Sequence, residues 1–195
     1  MSVRAVLAVA LVAVFSAVAG YGLHRWLTQG PASATHTAGL RPDFTLPDLE
    51  GRPRSVKEWD GKVLVVNFWA TWCPPCRREI PMFIEMQKRY GERGLQFLGI
   101  AVDNLEDVSH FAIETDINYP LLVGEQEAID LSQQLGNTLS LLPFTAIIDR
   151  QGRVLATKAG ELTRSQADKL LLPLLSDHDP QLTPLPSPLS ESLFR

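Results

Sequence analysis

The chain has 195 residues, 45% hydrophobic and 21% charged, with a formal net charge of -4. That length fits one domain with appendages, and the composition is that of a globular protein able to bury a core. No lysine- or arginine-rich run occurs, so nucleic acid as a partner has no electrostatic basis and is excluded.

Ala5 to Leu23 is apolar or small throughout, with Arg4 before it and His24, Arg25 and Trp26 after it. The run reaches the length that spans a bilayer core, and Ala17-Val18-Ala19 also has the small-x-small form that signal peptidases cut. An uncleaved membrane anchor over residues 1–27 is the expectation, with a cleaved signal as the alternative. A small positive-inside bias keeps the N-terminus in the cytoplasm. Either fate puts the rest of the chain on the outer side of the membrane, an oxidising compartment in which a thiol pair can cycle.

Residues 28–40 are rich in Gly, Ala, Ser, Thr and Pro without an apolar period, which reads as a flexible linker. The folded domain is expected over 41–176. Phe44-Thr45-Leu46 and Arg54-Ser55-Val56 flank the turn Asp48-Leu49-Glu50-Gly51, an N-terminal hairpin. Val63 to Trp69 is a continuous, β-branched apolar run, the mark of a strand buried on both faces. Apolar residues then recur at helical spacing from about 74 to 90, with a kink expected at Pro81 and an end at Gly91 and Gly94. Leu95 to Val102 gives a second buried strand and completes a βαβ unit. Asp103 or Asn104 caps a helix to about Thr115. Pro120 to Val123 reads as a short strand, Glu125 to Leu135 as an amphipathic helix closed by Gly136, and Phe144 to Ile148 as a strand. A turn at Asp149-Arg150-Gln151-Gly152 returns Arg153 to Thr157 antiparallel. Ser165 to Leu175 is the last helix, and residues 177–195 form a proline-punctuated tail expected to be disordered.

Both cysteines of the chain lie in Trp72-Cys73-Pro74-Pro75-Cys76, where the first buried strand gives way to a helix. They make one disulfide or one dithiol. A bridge closing so short a loop removes little unfolded-state entropy, roughly 2 kcal/mol, so a redox role explains the motif better than a structural one. At a helix N-terminus Cys73 faces backbone N–H groups and the positive end of the macrodipole, which favour its thiolate and make it the candidate nucleophile. Cys76, one turn further in, is expected to be more buried and to act as the resolving thiol. Pro74 and Pro75 supply no N–H, which limits stabilisation of the Cys73 thiolate and favours a dithiol that donates electrons. The four histidines, His24, His36, His110 and His178, show no metal-ligand spacing, which argues against zinc. Arg77 follows the second cysteine where covalent haem attachment needs histidine. A two-thiolate Cu(I) site stays open, because soft thiolates suit that ion. No cofactor is expected.

The strand Val63-Leu64-Val65-Val66-Asn67-Phe68-Trp69, the cysteine motif, Arg77-Arg78-Glu79-Ile80-Pro81, Pro42-Asp43-Phe44 and Ile147-Ile148-Asp149 together resemble the thioredoxin superfamily. Over roughly Arg41 to Leu175 the chain looks like the TlpA/ResA/CcmG branch of membrane-tethered bacterial thiol-disulfide oxidoreductases. The resemblance implies an α/β thioredoxin-like three-layer sandwich, a central mixed sheet with helices on both faces and an N-terminal β-hairpin. It implies that Pro143 is a cis-proline opposite the cysteines, that the Leu142 backbone pairs with an extended substrate, and that Trp72 flanks the nucleophile. Glu79 matches the branch's active-site glutamate and is expected to relay a proton to or from Cys76. Asn67 stands where thioredoxin itself has a buried aspartate. Leu142 and Phe144 stand where relatives carry smaller or polar residues, so a more apolar substrate groove is expected. Trp69 reads equally well as packing or as part of the aromatic pair.

The implied function is reduction of disulfides in a partner protein, apocytochrome c or a copper-site protein, with electrons from a membrane dithiol donor. The implied location is the bacterial cytoplasmic membrane with the domain facing the periplasm or outside, or the soluble periplasm if the segment is cleaved. The alternatives are a Cu(I) metallochaperone using the same cysteine pair and a thiol oxidase with reversed electron flow.

Overall fold

The computed structural model describes residues 39–176; the expected anchor or signal, most of the linker and the tail lie outside them. Thr45–Pro47 (β1) and Pro53–Ser55 (β2) pair antiparallel as the N-terminal hairpin. Asp48 shapes the turn, its Oδ1 accepting from the N–H of Glu50 and of Arg52. Sequence reading extended the second strand to Val56, but there the chain turns into a 3-10 helix, Val56–Trp59. Ser55 and Glu58 form a reciprocal capping box at its start, which satisfies backbone donors that a longer strand would have left open.

Val63–Trp69 (β3), apolar except for Asn67, is buried along its whole length and leads into Pro74–Tyr90 (α1). On α1 the buried side chains Cys76, Glu79, Ile80, Phe83, Met86 and Tyr90 fall at helical spacing, and the helix runs on through Pro81. Leu95–Ala101 (β4), also wholly buried, pairs parallel with β3 and so completes the expected βαβ unit. Leu105–Thr115 (α2) is capped by Asn104, whose side chain accepts from the Asp107 N–H. Leu121–Val123 (β5), Gln126–Gln134 (α3), Phe144–Ile148 (β6), Val154–Ala159 (β7) and Arg164–Ser176 (α4) follow. Observed ends differ from the expected ones by a residue or two, the usual behaviour of fraying termini.

The main sheet has the order β5-β4-β3-β6-β7, parallel across β5, β4 and β3 and antiparallel across β3, β6 and β7. Strand alternation sends Val63, Val65 and Trp69 into one core with Ile80, Phe83 and Met86 of α1, Val108 of α2, and Ala167, Leu171 and Leu175 of α4. It sends Leu64, Val66 and Phe68 into a second core with Leu46 of the hairpin and Ala128 and Leu131 of α3. Helices on both faces of a mixed sheet make this the thioredoxin-like three-layer sandwich that the resemblance implied. Gly39 and Leu40, read from sequence as the end of the linker, pair with the β6–β7 turn: Val154 N–H donates to the Gly39 carbonyl, and Leu40 bridges Arg153.

Candidate active site

The start of α1 can be accounted for donor by donor. Cys73 is the N-cap, with extended backbone, and its own N–H donates to the Ala70 carbonyl at 3.2 Å. Pro74 and Pro75 occupy the next two positions and have no N–H to leave unpaired. Arg77 N–H takes the Cys73 carbonyl at 3.2 Å. The donor remaining is Cys76 N–H, which points at Cys73 Sγ at 3.3 Å. Cys73 and Cys76 are joined by a disulfide. Cys73 keeps 4% of its surface and Cys76 none, so an incoming thiol or disulfide reaches Cys73 first.

One turn along α1, on the same buried face as Cys76, Glu79 is 2% exposed. Its two oxygens are divided between separate elements. Oε1 accepts from Asn67 Nδ2 of β3 at 2.8 Å, and Oε2 accepts from the Leu162 N–H before α4 at 2.8 Å. The second Asn67 amide hydrogen goes to Thr145 Oγ1 at 3.0 Å, across the β3–β6 pair in which Asn67 faces Thr145. Burial pushes the Glu79 carboxyl up to about 7, against the hydrogen bonds from Leu162 and Asn67, which favour the carboxylate. The Glu161 charge adds to the rise and Lys158 opposes it. An acid that titrates near neutrality beside a buried thiol position can exchange a proton there.

In front of the cysteines lies a groove of about 420 Å³, lined by Trp72, Cys73, Pro74, Val102, Ile129 and Leu142 among others. Two polar side chains hold its walls. Asp103 Oδ2 accepts from Thr71 N–H at 2.9 Å and from Thr71 Oγ1 at 2.6 Å, which ties the turn carrying Trp72 and Cys73 to the end of β4. Asn137 takes both backbone groups of Leu141, accepting from its N–H and donating to its carbonyl, each at 2.9 Å. The Leu142–Pro143 peptide is cis, with Pro143 buried behind Leu142.

A redoxin profile matches residues 37–171. The chain belongs to the redoxin family. Within it this redoxin is a ResA-like thiol-disulfide oxidoreductase of the thioredoxin superfamily. It is 34% identical over 133 residues to the thiol-disulfide oxidoreductase ResA of a Bacillus cereus strain, covering 67% of this chain and 73% of that protein. It is 30% identical over 170 residues to ResA of Geobacillus kaustophilus, covering 86% and 94%. A solved thiol:disulfide interchange protein of the thioredoxin family from Chlorobium tepidum superimposes with a TM-score of 0.65 at 31% identity, over 73% of this chain and 99% of that one. The redoxin is therefore a thiol-disulfide oxidoreductase.

The structure places each site residue named from sequence, and Pro143, unlike Trp72, Cys73 and Leu142, does not line the groove. Cys73, Cys76 and Glu79 share the first turns of α1; Trp72, 66% exposed, and Leu142 stand on the groove with Cys73; and Pro143 precedes β6. Trp69 resolves as packing: it is 1% exposed and lies 5.3 Å from the Phe111 ring. Phe144 corrects the reading that it makes the groove apolar. Its side chain is 2% exposed in the second core, 6.1 Å from Phe68, and does not line the groove. The apolar character of the groove comes instead from Leu142 together with Val102, Ile129 and Leu141. Sequence reading missed Asp103 as the Thr71 anchor, having seen it as a rival helix cap. It also missed Thr145 and Asn137; for Asn137 the signal was a Gly-Asn pair closing α3, which reads as turn punctuation.

Proposed function

We propose that this protein is a membrane-tethered, extracytoplasmic reductase of protein disulfides. In the reduced protein the Cys73 thiolate attacks one sulfur of the substrate disulfide; a Cys73–substrate bond forms, the substrate S–S bond breaks, and the released sulfur takes a proton. Cys76 then gives its proton to the Glu79 carboxylate and attacks Cys73 Sγ. The Cys73–Cys76 bond forms, and the second substrate sulfur leaves and is protonated. Two electrons and two protons pass to the substrate, and a membrane dithiol donor reverses the exchange to restore the dithiol. Trp72, Leu142 and Pro143 shape the surface on which the substrate lies.

The observation that carries the direction is the poverty of donors at Cys73 Sγ. Pro74 and Pro75 contribute none, and among the described residues a single N–H, that of Cys76, reaches it at 3.3 Å. Strong thiol oxidants draw their oxidising power from a stabilised reduced form; this turn offers little such stabilisation. The outer-face location rests on the apolar segment Ala5 to Leu23. Apocytochrome c or a copper-site protein is the substrate that the resemblance to the TlpA/ResA/CcmG branch supports.

Cys76→Ser, expressed in cells, is expected to accumulate a Cys73-linked mixed disulfide, and identification of the trapped protein names the substrate. The reduction potential is expected near that of thioredoxin, about -270 mV; a value near about -120 mV would reverse the proposed flow. Purified reduced protein that retains stoichiometric Cu(I) and leaves insulin disulfides intact would replace the reductase by a copper carrier.

A further inference from the structure

We propose that Asn137 is a positioning residue for substrate docking: its side-chain amide clamps Leu141 so that the peptide groups of Leu142 stand open to an extended, apolar segment of the protein substrate. The inference rests on the reductase reading above.

Asn137 is 3% exposed, and its amide is fully engaged. Oδ1 accepts from Leu141 N–H, and Nδ2 donates to the Leu141 carbonyl at 2.9 Å and to Ser132 Oγ at 3.2 Å. Ser132 Oγ in turn donates to the Ile129 carbonyl at 2.8 Å, which anchors the clamp to α3. Leu141 therefore has no backbone group to offer a partner. Pro143 has no N–H, and its carbonyl accepts from Gly160 N–H at 2.8 Å. Between these two saturated residues, the Leu142 N–H and carbonyl have no hydrogen-bond partner among the described residues, and Leu142 lines the groove with Cys73. Backbone donors and acceptors left open at the end of a buried strand are the means by which an extended peptide is captured, with side-chain pockets supplying selectivity.

The surroundings indicate which peptide. Leu139 is 77% exposed and Leu141 47% exposed on the lip carried by Asn137, and Trp72 is 66% exposed beside Cys73. Water gains little from such side chains, whereas an apolar stretch beside the substrate disulfide covers them. The lip is held from outside as well: Gln133 Nε2 donates to Ser140 Oγ at 2.9 Å, and Ser140, with φ 49°, sits in the left-handed region where a side chain is disfavoured.

The test uses the full-length protein in detergent, with insulin as substrate and dithiothreitol as recycling reductant. Asn137→Ala is expected to raise KM for insulin by about tenfold, with kcat falling less than about twofold, the size expected when one orienting hydrogen-bond pair is lost. Asn137→Asp keeps the volume and the acceptor for Leu141 N–H but sets an oxygen against the Leu141 carbonyl, so it is expected to raise KM at least as much. Rescue by Asn137→Asp, an unchanged KM in Asn137→Ala, or a loss carried wholly by kcat would overturn the clamp. Gln133→Ala, on the surface, is expected to raise KM by about twofold to threefold, and it decides the matter if melting curves show that the Asn137 variants do not fold; an unchanged KM there overturns the proposal. Wild-type protein that fails to reduce insulin defeats the reductase reading itself, whereas active wild type with indistinguishable variants defeats the clamp alone.

Discussion

Glu79→Gln isolates the buried acid. The ordinary glutamate value is 4.5 and the folded value about 7, so the native state binds the proton more tightly than the unfolded chain. Between those values the folded protein holds more protons, and its stability falls as pH rises. The contribution is fully present below 4.5 and is lost as pH passes through about 7. Integrated from pH 5 to pH 8, the loss is about 2.5 kcal/mol. Glutamine does not titrate, so the variant lacks this slope. It also disturbs the bond from Leu162 N–H, or that from Asn67, at a cost of about 1 kcal/mol that is the same at every pH. Urea unfolding of both oxidised proteins, full length in detergent and followed by tryptophan fluorescence, gives ΔΔG at each pH. The variant is expected to match wild type to within about 0.5 kcal/mol near pH 5 and to be more stable by about 2 kcal/mol near pH 8, the difference changing by about 2 to 3 kcal/mol. A difference that stays constant to within about 0.5 kcal/mol, or that moves the other way, would refute the account of Glu79 as an acid whose hold on its proton is strengthened by burial.

Two further variants probe how the site is held. Asp103→Ala removes the acceptor for both Thr71 groups and is expected to cost about 2 kcal/mol; a double-mutant cycle with Thr71→Val should return a coupling of about 1 kcal/mol, and none would mean that Asp103 does not anchor the cysteine turn. Phe83→Ala empties a fully buried position stacked 4.8 Å from Phe97 beneath α1 and is expected to cost about 3 to 5 kcal/mol; a urea-derived loss below about 2 kcal/mol would show that α1 does not draw its seat from this pair.

The elements legible in the sequence were those whose pattern is set locally. β3 and β4 announced themselves as largely apolar runs, each broken by a single polar residue, Asn67 and Gln96, α1 by its spacing, and the turns by Asp and Gly. The orientation of Phe144 was not legible for a physical reason: β6 is buried on both faces, so its sequence carries no alternation from which a phase can be read. The phase comes from pairing with β3, where Phe68 faces Phe144 and Asn67 faces Thr145. That pairing sends Phe144 to the far core and Thr145 toward Glu79. Asp103 and Thr71 are likewise separated by a whole helix and strand. Asn137 and Leu141 are near in sequence, but their contact depends on a loop conformation that no spacing rule encodes.

Asn67 and Glu79 are best understood as a matched pair. Asn67 Nδ2 lies 2.8 Å from Glu79 Oε1 and contributes the donor between them. An aspartate at 67 would bring a second carboxylate to that distance, in a region where burial already holds one acid near neutrality, and two such groups cannot both ionise. The site therefore has room for one acid, and this chain carries it on the helix beside Cys76 rather than on the strand. Asn67 also reaches Thr145, two residues beyond Pro143. A single amide thus ties the proton-binding group to the strand that begins at the substrate groove, so that changes at Asn67 must register in both the titration of Glu79 and the seating of β6.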